Sequence, residues 1–267
     1  YLQDITDFIQ ATVNPYFELG RYAEYISQYA SEFNDLEKAL HAPSNCIDEI
    51  MLRFLDEKIS QFAPECIGFS IPFPGNVYAT LQCGKFIKEK YPHIPIVFGG
   101  GYVSTELRQL NEPKVFDYVD FIVLDDGEMA FMQIIDFLTN KKANDYKNLI
   151  KTFIRKSNNS VELIGADASS HIPFSEIGTP DYSNLPLHSY ISLIELANPM
   201  HKLWSDGRWN KLMLAHGCYW AQCAFCDTSL PYIARYETTN ASQIADRIEQ
   251  IIEQTSTSGF HFVDEAA

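Results

Sequence analysis

Two hundred and sixty-seven residues suffice for one large domain or two ordinary ones, and 46% apolar residues with 13% aromatics supply a real core, which excludes a disordered chain. Thirty-five acids against twenty bases leave a formal charge of −15, so most of the surface repels a phosphate backbone and no nucleic-acid partner is expected. The longest apolar runs are strand-length, far short of the ~20 residues that cross a bilayer, and Tyr1-Leu2-Gln3-Asp4 does not open a secretory signal, so no membrane span and a cytoplasmic location are expected.

Residues 1–61 read as a helical lead-in. Tyr22, Tyr25, Ile26 and Tyr29 fall at helical spacing, as do Ile47, Ile50, Met51, Phe54, Leu55 and Ile59, with Pro43-Ser44-Asn45 breaking the run. Residues 62–150 alternate apolar runs with helix-length segments. The pattern predicts strands at 66–71, 94–98 and 119–124, and helices at 76–90, 104–110 and 127–138, the last with Asp125 or Asp126 as a cap. This is the pattern of an α/β fold with an open parallel, Rossmann-like sheet covered on both faces. The stripe Phe54, Phe62, Phe69 and Phe73 reads as core, and His93 between prolines as a surface turn.

Residues 151–210 carry a hairpin signal, 153–155 and 161–164 around Lys156-Ser157-Asn158-Asn159-Ser160, and then a connector near 165–188 marked by Pro173, Pro180 and Pro186. Residues 211–267 begin with a strand at 211–214 that runs straight into a cysteine cluster. A helix behind an Asn240 cap follows, and then a strand at 260–263.

Two places along this chain offer chemistry. Ser70 and Gly99-Gly100-Gly101 stand at the carboxyl ends of predicted parallel strands, where open α/β sheets bind ligands and where glycines let backbone approach a phosphate or sugar. A dinucleotide fingerprint would place a third glycine where Ser104 stands, and a tight strand-to-helix turn without a ligand explains the triplet equally. Asp125, Asp126 and Glu128 suit either a hard cation or the start of a helix.

The second place is His216-Gly217-Cys218-Tyr219-Trp220-Ala221-Gln222-Cys223-Ala224-Phe225-Cys226-Asp227. Cys46, Cys66 and Cys83 lie singly, whereas Cys218, Cys223 and Cys226 form C-x4-C-x2-C, which reads as a reducing compartment and one metal or redox site. Three thiolates from one loop can ligate three irons of a four-iron cluster and leave the fourth open. The alternative is a closed zinc site completed by His216 or His261, the mark of a non-catalytic binding module.

At these residues the sequence resembles the radical S-adenosylmethionine (SAM) superfamily, in its cobalamin-binding branch. The commonest spacing there is C-x3-C-x2-C, and the branch whose motif reads Gly-Cys-Tyr-Trp, matched by Gly217-Cys218-Tyr219-Trp220, accommodates one more residue. The resemblance implies a 4Fe-4S cluster on Cys218, Cys223 and Cys226. It implies that Phe225 packs near the adenine of SAM, and that Asp264-Glu265 at the end of the next strand hold its methionyl amine. Over residues 62–140 it implies a cobalamin-binding domain. Ser70 would approach the lower side of the cofactor, Gly99, Gly100 and Gly101, with Ser104 beside them, would wrap its nucleotide tail, and Gly127 and Glu128 would extend the site. None of the seven histidines falls in the Asp-x-His-x-x-Gly pattern by which some cobalamin proteins ligate cobalt.

The activity so implied is reductive cleavage of SAM to a 5′-deoxyadenosyl radical that takes hydrogen from an unactivated carbon. Flavodoxin or ferredoxin would be the electron donor, and methyl transfer from cobalamin is one of the outcomes. Residues 211–267 would be the first elements of a (β/α) barrel that needs about 200 or more residues, so the chain is expected to be a fragment. A nucleotide-dependent α/β enzyme with an incidental metal knuckle is a further rival.

Overall fold

The computed structural model describes residues 2–15, 17, 33–140, 146–190, 209–224 and 226–264. The chain divides into two compact units, one of residues 3–170 and one of residues 171–267 with residues 1–2. It opens with helices α1 (Leu2–Thr12), α2 (Phe33–His41) and α3 (Cys46–Phe62). The helical spacing at Tyr22, Tyr25, Ile26 and Tyr29 lies outside the described residues. Helix α3 starts at a reciprocal cap. Asn45 Oδ1 accepts from the amides of Ile47 (2.8 Å) and Asp48 (3.2 Å), while Asp48 accepts from the Asn45 amide (3.3 Å), an arrangement worth about 1 kcal/mol.

The first unit is built on five strands, β1 (Ile67–Ser70), β2 (Ile96–Gly99), β3 (Phe121–Val123), β4 (Thr152–Arg155) and β5 (Val161–Ile164), in that spatial order. The first three are parallel, with Ile67 beside Ile96 and Val97 beside Phe121. The expected hairpin extends the same sheet in antiparallel sense, Ile122 opposite Phe153 and Phe153 opposite Leu163. Helices α4 (Val77–Lys90), α5 (Gly101–Glu106) and α6 (Gly127–Thr139) lie between the parallel strands and after them.

The apolar runs of β2 and β3 are continuous because both faces are covered. Ile96, Phe98 and Ile122 join one core with Leu81, Ile87 and Val103, whereas Val97, Phe121 and Val123 join another with Ala130 and Ile134. β1 is different. It ends the strand order, and its burial alternates, leaving Gly68 and Ser70 exposed.

The phenylalanine stripe expected in the core is mostly at the surface. Phe54, Phe62 and Phe73 are exposed, and only Phe69 packs, edge-to-face against Phe98 at 5.7 Å. Helix α3 buries Asp48 and Ile59, with Leu55 packed on the core, so residues 54, 58 and 62 form a different stripe of the same helix. Arg53 and Lys58 place their cations 5.6 Å from the rings of Phe54 and Phe62, an attraction that suits an aromatic face left in water.

In the second unit β6 (Asn210–Leu212) and β9 (Phe260–Phe262) pair in parallel, Asn210 with Phe260 and Leu212 with Phe262. β7 (Ala215–His216) and β8 (Glu237–Thr238) pair antiparallel, with the short helix α7 (Pro231–Ala234) between them in sequence. Helix α8 (Ala241–Thr255) then leads to β9, its first turn closed by Asn240, whose Oδ1 accepts from the Gln243 amide at 2.9 Å. Strand, helix and parallel strand make a βαβ unit.

The proline-rich connector is a strap on this unit. Phe174 is buried beneath the Arg247 guanidinium, 5.2 Å from its ring, and Arg247 Nη2 donates to the carbonyls of Phe174 (3.1 Å) and Ile177. Further along, the Tyr182 amide donates to Gln254 Oε1 at 2.6 Å. Among the described residues no helix is long and apolar enough to cross a membrane.

Candidate metal centre and the carboxyl edge of the sheet

The cysteine loop leaves β7 and returns at β8. Gly217 is the hinge of the outgoing arm: its φ is +72, and a Cβ there would stand 1.8 Å from the Arg235 carbonyl oxygen, so only glycine lets the two arms meet. His216 Nε2 lies 2.8 Å from the Tyr232 carbonyl, which can only accept, so Nε2 carries the proton. Arg235 Nη2, at 3.3 Å, therefore packs on the imidazole rather than donating to it. Between these ties Cys218 and Cys226 are half-buried and Cys223 is exposed, none of the three in a disulfide. Ala221, in the four-residue spacer, takes φ +45, the left-handed turn by which the spacer reverses.

The end of β9 supports the same region. Asp264 Oδ1 accepts from the amides of Leu214 and Ala215, both at 2.8 Å, which fixes the strand just before the loop. Asp264 Oδ2 is buried and has no hydrogen-bond partner among the described residues, so the site offers an unsatisfied acceptor to a donor. Phe225 and Glu265 lie outside the described residues.

Among the described residues no three His, Cys, Asp or Glu side chains are gathered into a ready-made metal site. The donor set itself fits an iron–sulfur cluster: three thiols outside any disulfide, on one short loop whose two arms are pinned at the base. A closed zinc site needs a fourth ligand, and each candidate histidine has one ring nitrogen tied in this structure, His216 Nε2 at the Tyr232 carbonyl and His261 Nδ1 2.7 Å from Lys211 Nζ, so the ligating atom there would be His216 Nδ1 or His261 Nε2.

In the first unit, Ser70, Gly99-Gly100-Gly101, Ser104 and Asp125 to Glu128 all follow the carboxyl ends of β1, β2 and β3, three neighbouring parallel strands. Several of them are used by the fold itself. Gly100 has φ +103, and a Cβ there would lie 2.6 Å from the Ile71 nitrogen and 2.8 Å from its oxygen. The backbone that approaches this glycine is the chain's own first turn, bonded to it through Ile71 N to Gly99 O (2.7 Å) and Tyr102 N to Ile71 O (3.0 Å).

Ser104 is buried and its Oγ accepts from the Asp125 amide at 2.8 Å. The Asp125 side chain is 1% exposed between Arg108 and Lys151, whose Nζ lies 2.6 Å away. Burial alone would raise the Asp125 pKa, but hydrogen bonds and charge from the two cations outweigh it and hold the carboxyl below its usual range. Asp125 is therefore neither a helix cap nor a cation ligand. Asp126 occupies the N-cap position of α6 without a capping hydrogen bond from its side chain, which corrects the expected role of this pair.

What remains open on this edge is Ser70, Gly101 and Glu128, all exposed, and Gly127, where a Cβ would meet nothing within 4 Å. Beside it lies an apolar cavity of about 150 Å³ lined by Phe33, Leu36, Ile71, Tyr78, Phe98 and Tyr102. A cavity of that volume holds roughly one benzene-sized group, not a corrin. A cobalamin would thus have only the exposed edge residues to meet.

Sequence reasoning found the thiols and the glycine turn but missed Arg108, Lys151, Arg235, Glu237 and His171. Arg108 and Lys151 lie 17 and 26 residues from Asp125, and His171 lies 66 from Glu237, so no short-range pattern announces those contacts; Arg235, two residues from Glu237, carries no motif either. No protein-family model and no curated protein matches this chain.

Proposed function

We propose that Cys218, Cys223 and Cys226 hold a 4Fe-4S cluster and that the chain serves radical SAM chemistry. The observation that supports this reading most is a loop bearing three thiols outside any disulfide, closed by a strand pair and inserted in a parallel βαβ unit. When bound, the cluster supplies the electron that cleaves SAM reductively to a 5′-deoxyadenosyl radical, which takes hydrogen from an unactivated carbon.

The protein's own share of the work is positional. The three thiols bind iron, Gly217 and the β7–β8 pair set the path of the loop, and Asp264 orders the strand before it through Oδ1. Asp264 Oδ2, buried and unsatisfied, is suited to accept from the methionyl amine, with Glu265 beside it in sequence and Phe225 near the adenine. The first unit is proposed to bind cobalamin on its carboxyl edge at Ser70, Gly101, Gly127 and Glu128, and flavodoxin or ferredoxin is proposed as electron donor.

The test is anaerobic reconstitution with ferrous iron and sulfide. Broad visible absorption with about four irons per chain is expected, and it should be lost in each of Cys218→Ala, Cys223→Ala and Cys226→Ala. Stoichiometric zinc with no uptake of iron would sink the reading. For cobalamin, hydroxocobalamin should change its spectrum on titration into the protein and fail to do so with Gly101→Val. No change with the unaltered chain would remove that part.

A further inference from the structure

The arm that returns from the cysteine loop ends on a carboxylate with three partners. Glu237 lies on β8 directly opposite His216, two residues before the first cysteine. Its Oε1 is 2.6 Å from His171 Nε2 and 3.1 Å from Arg235 Nε, the latter an ion pair without the alignment of a hydrogen bond, and its Oε2 accepts from the Phe174 amide at 2.9 Å. Arg235 is also the residue whose carbonyl Gly217 packs against. His171 and Phe174 belong to the strap that Arg247 holds on α8. One residue therefore joins three things: its backbone pairs with the outgoing arm at His216, and its carboxylate meets Arg235 of the returning arm and a segment more than sixty residues earlier in the chain.

We infer that Glu237 is the positioning residue of the cysteine loop and that the strap at residues 171–177 is the anchor through which it acts. The consequence for a cluster rests on the reading proposed above; the consequence for the order of the loop rests on geometry alone. Between Gly217 and Tyr236 the only regular element among the described residues is the four-residue helix α7, so the loop has little structure of its own to hold three thiols in register. Its order must come from its base. Of the contacts at that base, the strand pair and Gly217 fix the two arms against each other, Asp264 holds the strand leading into the outgoing arm through the amides of Leu214 and Ala215, and Glu237 ties the returning arm to the strap through charged and hydrogen-bonded partners.

The carboxylate is suited to this. Burial would raise its pKa, but the Phe174 amide, His171 and Arg235 outweigh that effect and hold it below the ordinary glutamate value, so it is ionised at neutral pH. Groups that orient metal ligands without touching the metal typically change metal affinity by about 10- to 100-fold when removed.

The experiment compares the full chain with Glu237→Ala and Glu237→Gln. In metal-free protein, amides of residues 217–236 should exchange with deuterium at least about tenfold faster in Glu237→Ala, while those of β1 to β3 exchange as before and report an intact first unit. After reconstitution with ferrous iron and sulfide, a chelator should strip iron about tenfold faster from the alanine variant, and the g values of the reduced cluster should shift. Glu237→Gln, which keeps an acceptor for the Phe174 amide but loses the negative charge that faces Arg235, should fall between the two. Loop exchange and iron release equal to the unaltered chain in both variants would overturn the inference. If no form takes up iron, the cluster reading fails, and the exchange result by itself decides whether Glu237 orders the loop.

Discussion

The carboxyl edge of the sheet and the cysteine loop carry the two groups of residues that the sequence marks for chemistry, and the fold treats them oppositely. At the sheet edge it consumes them: Gly100 is filled by the backbone of Ile71, Ser104 by the Asp125 amide, and Asp125 by Arg108 and Lys151. At the loop it spends other residues, Gly217, Arg235, Glu237 and Asp264, on holding the chain, and leaves the three thiols with no disulfide. A residue that the fold already satisfies is costly to remove and has little left to offer a ligand. One that the fold leaves alone is cheap to remove structurally and available for function.

That contrast predicts a ranking of mutational effects. Gly100→Val should be the most damaging, because a branched side chain at φ +103 meets the Ile71 backbone at 2.6 Å. Strain and overpacking together should cost roughly 3–5 kcal/mol, read as a drop in the denaturant midpoint, and a stable Gly100→Val protein would show that the turn is looser than described.

Asp125→Ala should come next, at about 3 kcal/mol, because it strands two partly buried cations that now share one carboxylate. The same ion cluster should give an acid limb. Since the folded pKa of Asp125 is depressed, its contribution is present above the unfolded value of about 3.9 and is lost as pH falls through the lower folded value. Stability of the unaltered chain should therefore decline below about pH 4 more than that of Asp125→Asn, as followed by urea unfolding at stepped pH. Parallel curves would remove the charge argument.

The cysteine variants should show the smallest structural effect. In metal-free protein, Cys223→Ala, at an exposed position, should change stability by no more than about 0.5 kcal/mol although it abolishes iron uptake. A large loss of metal-free stability would mean that the thiol is part of the packing after all.

The alternation of strands and helices was legible because β2 and β3 are apolar on both faces, and two of the other helices open at plain start signals, α3 at Asn45 and α8 at Asn240. The hairpin was legible from its turn, but not its place in the sheet, since periodicity says nothing about partners. The strap could not be told from a linker: Pro173, Phe174 and Pro180 have the same composition whether they hang free or lie on α8, and only the distant Arg247 and Gln254 decide. The exposed Phe54 and Phe62 were misplaced because helical spacing admits two neighbouring stripes, and the one holding Leu55 and Ile59 faces the core. At the candidate metal centre the thiols announce themselves by spacing and Asp264 by the family resemblance, whereas Glu237 is a single acid with nothing local to distinguish it.

The central claim is that three thiolates hold a four-iron cluster with one iron left open. Electron paramagnetic resonance of the reconstituted, reduced protein, recorded before and after adding cyanide as a small exogenous ligand, tests it most directly. The account predicts a reduced-cluster signal whose g values move when cyanide is added, and its loss in each cysteine-to-alanine variant. A signal indifferent to any added ligand, or one zinc per chain and no signal at all, would contradict it.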